Sequence, residues 1–209
     1  MSRPHVLVMA KEPRAGRVKT RLCPPCSPVV AAAVAEAALA DTLAAVAACR
    51  ASRKVLALDG RPGPWLPPGF DVIAQRGGDL NERLANAWCD AGGPGIQIGM
   101  DTPQVAPTEL DDLLARLDRS EALLGHALDG GWWVIGWRRA DPRAMFAGVP
   151  MSTPQTGRIQ ERRIRSLGLR LHRADTKRDL DTVEDLDVIA GEFPHLRTAR
   201  LAASTALGP

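Results

Sequence analysis

The feature that most constrains this chain is alternation. Apolar runs at 5–10, 54–58, Asp71–Ala74 and Gly95–Gly99 read as short strands, the first and last of them buried. Between them lie helical stretches: an Ala-rich run from 28 to about 50, a shorter one at 79–88, and Pro107–Leu117 after the fourth strand. Ser27-Pro28 supplies a cap and a first-turn proline for the long helix. Strands separated by helices pair in parallel through crossovers. The first 120 residues therefore predict an α/β fold, a mostly parallel sheet with helices on both faces. Strands crowd together after 120, at 122–125 and Trp132–Trp137, and predict an antiparallel addition. A basic helix at 156–167, a last strand at 169–173 and a last helix at 183–193 follow. No repeat or linker divides the chain. Residues 1–195 read as one domain and 196–209 as a loose tail.

Composition excludes several classes. With 209 residues, 45% hydrophobic and 24% charged, the chain can bury a real core. The apolar N-terminal run is too short for a signal-peptide core. The Ala-rich run carries Glu36 and Asp41 and reads as a soluble helix rather than a membrane span. A cytoplasmic enzyme or binding domain is the expectation, without a membrane partner. Four cysteines do not make a disulfide framework here, and Cys23-Pro-Pro-Cys26 lacks the second pair a zinc site needs.

Charge is concentrated in one place. Residues 11–21 (KEPRAGRVKTR) hold five basic residues and one acid, whereas the rest of the chain has 22 basic against 23 acidic residues. In an open α/β sheet, ligands bind beyond the carboxyl ends of the strands. A basic, Gly-containing loop there suits a polyphosphate. Gly16 would let the backbone approach phosphate, and Lys19 and Arg21, with Lys11, Arg17 and Thr20 beside them, would neutralise it. The loop has neither the Walker A nor the GxGxxG pattern. The remaining chain is near neutral, which argues against nucleic acid.

Acidic residues supply the complement. Asp101 follows a buried strand, and a carboxylate there suits a divalent ion bridging phosphates. Asp179 is a candidate second ligand. Asp181-Thr-Val-Glu184 reads as a capping box with Asp181 as the cap. Asp129-Gly130-Gly131 reads as a tight turn that lets an acceptor lie close to the backbone. His126 is a candidate base, though a lone His is more often structural. Of Trp132, Trp133 and Trp137, one could stack on a ring.

In order, the motifs are Lys-x-Pro-x-x-Gly-x-Val-Lys-Thr-Arg-Leu (11–22), Gly-Asp-Leu (78–80) with Arg83, and Gly-x-Asp-x-Pro (99–103). Asp-Gly-Gly (129–131) and Asp-x-Asp-Thr-x-Glu-Asp-Leu (179–186) complete the series. Together they resemble bacterial transferases of the nucleotide-diphospho-sugar transferase (GT-A) superfamily, similar to 2-phospholactate guanylyltransferases. The resemblance spans about residues 5–190. It implies a GT-A-like fold, a nucleotide, and Mg²⁺ or Mn²⁺. It implies Lys19 and Arg21 as phosphate contacts and Asp101 as metal ligand. It adds Asp79, Asn81 and Arg83 as nucleotide contacts, and Asp129, Gly130, Gly131 and Trp132 as acceptor contacts. Asn81 stands where Gly is usual, and Trp132-Trp133 replaces a commoner Tyr pair.

The expected function is metal-dependent nucleotidyl transfer, from a nucleoside triphosphate to a small phosphorylated acceptor with release of pyrophosphate. Lys19, Arg21 and Asp101 would carry the catalysis. The alternatives are glycosyl transfer from a nucleotide-sugar and non-catalytic nucleotide binding. A homodimer is left open.

Overall fold

The structure is a computed structural model and describes residues 4–204. Its centre is one seven-stranded sheet. The strands are β1 (His5–Lys11), β2 (Arg53–Asp59), β3 (Asp71–Ala74), β4 (Gly95–Gly99), β5 (Ala122–Ala127), β6 (Trp132–Trp137) and β7 (Leu171–Lys177). Their order in space is β3-β2-β1-β4-β6-β5-β7. Neighbours pair in parallel except at β4/β6 and β6/β5, so β6 alone runs against the other six. The expected parallel sheet with an antiparallel addition is present, and the addition is this single strand.

Among the described residues seven α-helices surround the sheet: α1 (Pro28–Ala48), α2 (Leu80–Ala91), α3 (Pro107–Leu117), α4 (Pro142–Phe146), α5 (Thr156–Ser166), α6 (Val183–Glu192) and α7 (Arg197–Ser204). Helices α1 and α3 fill one face, with Leu39, Leu43, Leu110 and Leu113 packed against Val6, Val8 and Ile96. Helices α2, α4 and α5 fill the other, where Trp88, Phe146 and Ile164 meet Leu7, Val55 and Ile135. Trp88 stacks on Trp137 at 3.5 Å between ring centroids, and its indole N–H donates to Gln97 Oε1 at 2.6 Å.

By length and composition α1 could cross a membrane, having 21 residues with a mean hydropathy of 1.8. The fold gives another reason for its apolarity. One side packs on the sheet, and the opposite side (Ala31, Val34, Ala38) packs under Leu22, Leu186 and Ile189. A helix buried on two sides is apolar all round. The Ser27 hydroxyl caps it by accepting from Val30 N–H.

Three expectations need correction. Residues 197–204 of the expected tail form α7, which packs on α1 and α6. Its start is capped from far away: the buried Asp41 carboxylate accepts from Arg197 N–H, Thr198 N–H and the Thr198 hydroxyl at 2.8–3.0 Å. The rest of that tail, 205–209, lies outside the described residues. The capping box of α6 is shifted by one residue: Thr182 is the cap and Asp185 its partner, in place of Asp181 and Glu184. Asp185 also pairs with Arg178 at 2.8 Å, which holds it where it can reach back to the cap. The last strand runs two to four residues later than expected.

Candidate functional site

Topology decides where the chemistry-bearing residues meet. The chain leaves β1 to build β2 and β3 on one side, then returns to β4 on the other. The carboxyl ends of β1 and β4 therefore flank the switch point where open α/β sheets bind ligands. The basic loop leaves β1 there, and Met100-Asp101 leaves β4 there. Because six strands share one direction, the segments following β3, β5 and β7 reach the same edge. These carry Gln75, Asp129 and Asp179.

The result is a cleft of about 570 Å³. Lys11, Arg17, Lys19, Thr20 and Arg21 line it from the basic loop. Asp101, Asp129, Asp179 and Asp181 line it from the other segments, and Met9, Ala10, Leu80 and Leu84 form an apolar part. Hydrogen bonds from Leu180 N–H to Asp101 O (2.8 Å) and from Gln104 to Arg178 O (2.6 Å) fasten the 178–182 segment beside the Asp101 turn.

Lys19 sits at the junction of loop and carboxylates. Its side chain is 5% exposed, and its ammonium pairs with Asp101 and donates to Leu180 O. It also pairs with Asp181 at 3.2 Å. Its backbone is left-handed, at φ 49°, which a non-glycine residue adopts only where its surroundings enforce it. Burial pulls the Lys19 pKa down, but Asp101 and Asp181 outweigh it and hold it above the usual lysine value. Arg21 meets the other Asp181 oxygen at 3.1 Å, with a largely exposed side chain.

Asp179 has the opposite balance. Burial, then the charges of Asp101, Asp129 and Asp181, push its pKa up to about 8, against a smaller pull from Lys19. At Asp179 the carboxylates of Asp101, Asp129 and Asp181 thus act together and Lys19 offsets only part of their field. A divalent cation would relieve that crowding, and these oxygen donors fit one. Among the described residues no three His, Cys, Asp or Glu are gathered as a self-sufficient metal site. Mg²⁺ needs only one or two carboxylates when substrate phosphates complete its shell.

The family model described as an uncharacterised protein conserved in bacteria (DUF2064) matches residues 30–153, more than half of the chain. The chain belongs to that family. The DUF2064 match includes Asp101 and the 129–132 turn, and begins beyond the basic loop. No curated protein matches the sequence. A structure from Desulfovibrio desulfuricans G20, described as a candidate nucleotide-diphospho-sugar transferase, is 26% identical with a TM-score of 0.88. The alignment covers 99% of this chain and 97% of that one. A nucleotidyl transferase from Methanothermobacter thermautotrophicus is similar at a TM-score of 0.62, with 16% identity over 93% and 99% of the two chains. CMP:2-keto-3-deoxy-manno-octonic acid synthetase complexed with CTP reaches 0.58, with 12% identity over 93% and 99%. The fold is that of nucleotide and nucleotide-sugar transferases, as the resemblance implied.

The cleft does not gather every residue singled out from the sequence. Gly16 lies outside its lining, and a Cβ there would meet nothing within 4 Å; its φ of +75° is what calls for glycine. Asp79 caps α2, accepting from Glu82 N–H at 2.8 Å. Asn81 donates to Val149 O at 2.9 Å. Arg83 pairs with Asp59 at 3.2 Å and lines a second cleft, of about 630 Å³, that also includes Lys11, Arg17 and Arg61.

Asp129, Gly131 and Trp132 line the main cleft. Gly130 lies behind them, where a Cβ would stand 2.1 Å from Pro154 O. His126 is 3.1 Å from Glu161, which also binds Arg165 and Arg173. That cluster is structural and lies outside the cleft lining. Trp133 and Trp137 are core residues, and all four cysteines are free thiols. Sequence reasoning missed Gln75, Gln97 and the 151–154 segment, all of which line the cleft. Gln75 is anchored by donating to Ala10 O and Ala57 O at 2.8 and 3.0 Å. No motif marks these residues; they arrive by topology.

Proposed function

We propose that the protein is a nucleotidyltransferase, moving a nucleoside monophosphate from a nucleoside triphosphate to a small acceptor. The observation that carries this reading is the buried Lys19 at the switch point, between a basic loop and a set of carboxylates. The apolar part of the cleft suits the nucleoside, and the 11–21 loop suits the triphosphate. An acceptor oxygen bonds to the α-phosphorus as the bond to the bridging oxygen breaks, and pyrophosphate leaves with that electron pair. Lys11, Arg17, Lys19 and Arg21 neutralise the leaving charge. Asp101 and Asp179 would hold a Mg²⁺ or Mn²⁺ ion, which would offset charge on the phosphate oxygens. Lys19 exchanges a carboxylate partner for phosphate as the nucleotide enters. Fixed positions and fixed charges supply the catalysis.

Glycosyl transfer from a nucleotide-sugar is the competing reading, and Asp129 and Gly131 in the same cleft would then face the donor sugar. Product analysis separates the two. With Mn²⁺, nucleotidyl transfer releases pyrophosphate from a triphosphate. Release of nucleoside diphosphate from a nucleotide-sugar, with no pyrophosphate from any triphosphate, would overturn the proposal.

A further inference from the structure

The charges around the cleft are sorted by side. Every basic residue lining it comes from the end of β1 or the loop after it. The half built from the β5–β6 turn and the 151–156 segment offers Asp129, Trp132, Ser152 and Thr153, and no basic side chain. These two segments are locked together: Gly157 N–H donates to Gly130 O at 2.8 Å, and Gly130 lies directly against Pro154. Asp129 is also close enough to Asp179 to interact with it electrostatically. A phosphorylated acceptor entering this half would bring its negative charge toward Asp129, and no basic side chain of this half lines the cleft to receive it.

The groups that are present suit a different ligand. Asp129 Oδ1 accepts from Gly131 N–H at 2.7 Å, and its Oδ2 accepts no hydrogen bond among the described residues. Trp132 lies beside it, half-buried at the cleft wall. Ser152 is exposed, with φ 58°. A carboxylate, an indole and a hydroxyl together hold polyols well: C–H faces pack on the ring, and hydroxyls donate to the carboxylate.

We propose that the acceptor is an uncharged polyhydroxyl molecule, and that one of its hydroxyls receives the nucleotidyl group. This replaces the phosphorylated acceptor expected from the sequence, and it rests on the nucleotidyl-transfer reading. The hydroxyl oxygen forms the new bond to the α-phosphorus, and the bond to pyrophosphate breaks. The hydroxyl proton passes to Asp129 and on to solvent.

The test uses the full chain with Mn²⁺ and whichever of ATP, GTP, CTP and UTP raises its melting temperature most. Pyrophosphate release is measured with hexoses, pentoses and their alditols, each beside its monophosphate, and with ethanolamine. The expected result is a kcat/KM at least about tenfold higher for a neutral member than for its monophosphate, a difference of about 1.4 kcal/mol. Asp129→Lys should narrow or reverse that preference. Asp129→Asn should lower the acceptor-dependent rate with a triphosphate-dependent rise in melting temperature still present, which also covers the case in which the Lys variant does not fold. A preference for monophosphates, turnover with ethanolamine alone, or silence of every neutral acceptor overturns the inference. Preference for monophosphates leaves nucleotidyl transfer standing. Nucleoside diphosphate released from a nucleotide-sugar, without pyrophosphate, removes both.

Discussion

Lys19→Met tests the centre of the site. The substitution keeps the stem and removes the ammonium from between Asp101 and Asp181. Breaking a fully buried pair costs about 3–5 kcal/mol. Here the partners are 43% and 33% exposed, so solvent takes up much of the released charge. A loss of about 1–2 kcal/mol is the scale to expect. In a chain of this length that lowers Tm by roughly 2–8 °C. The effect on turnover should be larger, because the same charge faces the leaving pyrophosphate. Losing one such electrostatic group costs about 2–4 kcal/mol of transition-state stabilisation, roughly 30- to 1000-fold in rate. Mn²⁺ provides an internal check. With the ammonium gone, the freed carboxylates gain a cation, so Mn²⁺ should raise the Tm of the variant more than that of the parent. Thermal melts with and without Mn²⁺, beside pyrophosphate release, read all three effects. Unchanged melting together with unchanged turnover would remove Lys19 from the site's chemistry.

Other perturbations follow from the same charges. Asp179 has a folded-state pKa of about 8 against an ordinary carboxylate value, so the folded state holds a proton that the unfolded chain releases. Its contribution falls as pH rises from about 4 to 8; Asp179→Asn should therefore raise Tm at pH 8 and leave it unchanged at pH 4, read by melts across that range. Glu161 is the opposite case: hydrogen bonds led by Arg173, with His126 and Arg165, hold its pKa down to about 2. Its stabilisation is present above the ordinary glutamate range and is lost as pH falls toward 2. Glu161→Gln should cost about 1–2 kcal/mol at pH 7, discounted for exposed arginine partners, with the gap closing in acid denaturation curves. Asp41→Ala removes three acceptor contacts at the start of α7 and should release fast amide exchange in 197–204, measured by hydrogen exchange, before the sheet is affected.

Much of the architecture was legible because it rests on local pattern. Each strand of the parallel half is a short apolar run, and Ser27-Pro28 and Pro107 mark helix starts that the structure keeps. The errors fall where distant residues decide. Helix α7 reads as tail because its cap, Asp41, lies 156 residues away from Arg197. The cap of α6 slipped by one because several acids compete and Arg178 selects Asp185. In the site, Lys19, Arg21, Asp101 and Asp129 were visible as charge placed beside strand ends. Their mutual pairing was not, since a phosphate-binding lysine and one held by carboxylates look alike in sequence. Asp79, Asn81 and Arg83 belonged to a recognised motif, yet their side chains cap a helix, tie down a carbonyl and pair with Asp59. Gln75 and the 151–154 segment carry no motif and enter the cleft only through the strand order.

The proposed function requires that the cleft at the ends of β1 and β4 bind a nucleoside triphosphate together with a divalent cation. The most direct measurement is the melting temperature in the presence of ATP, GTP, CTP, UTP and their nucleotide-sugars, each with Mn²⁺ and without it. A ligand present at 100 times its Kd adds about 2.7 kcal/mol of stability, which melting detects readily. The expected result is a large shift for one triphosphate, dependent on Mn²⁺ and abolished in Lys19→Met. Absence of a shift with every nucleotide, or a shift that Mn²⁺ and Lys19→Met leave unchanged, would overturn the proposed function.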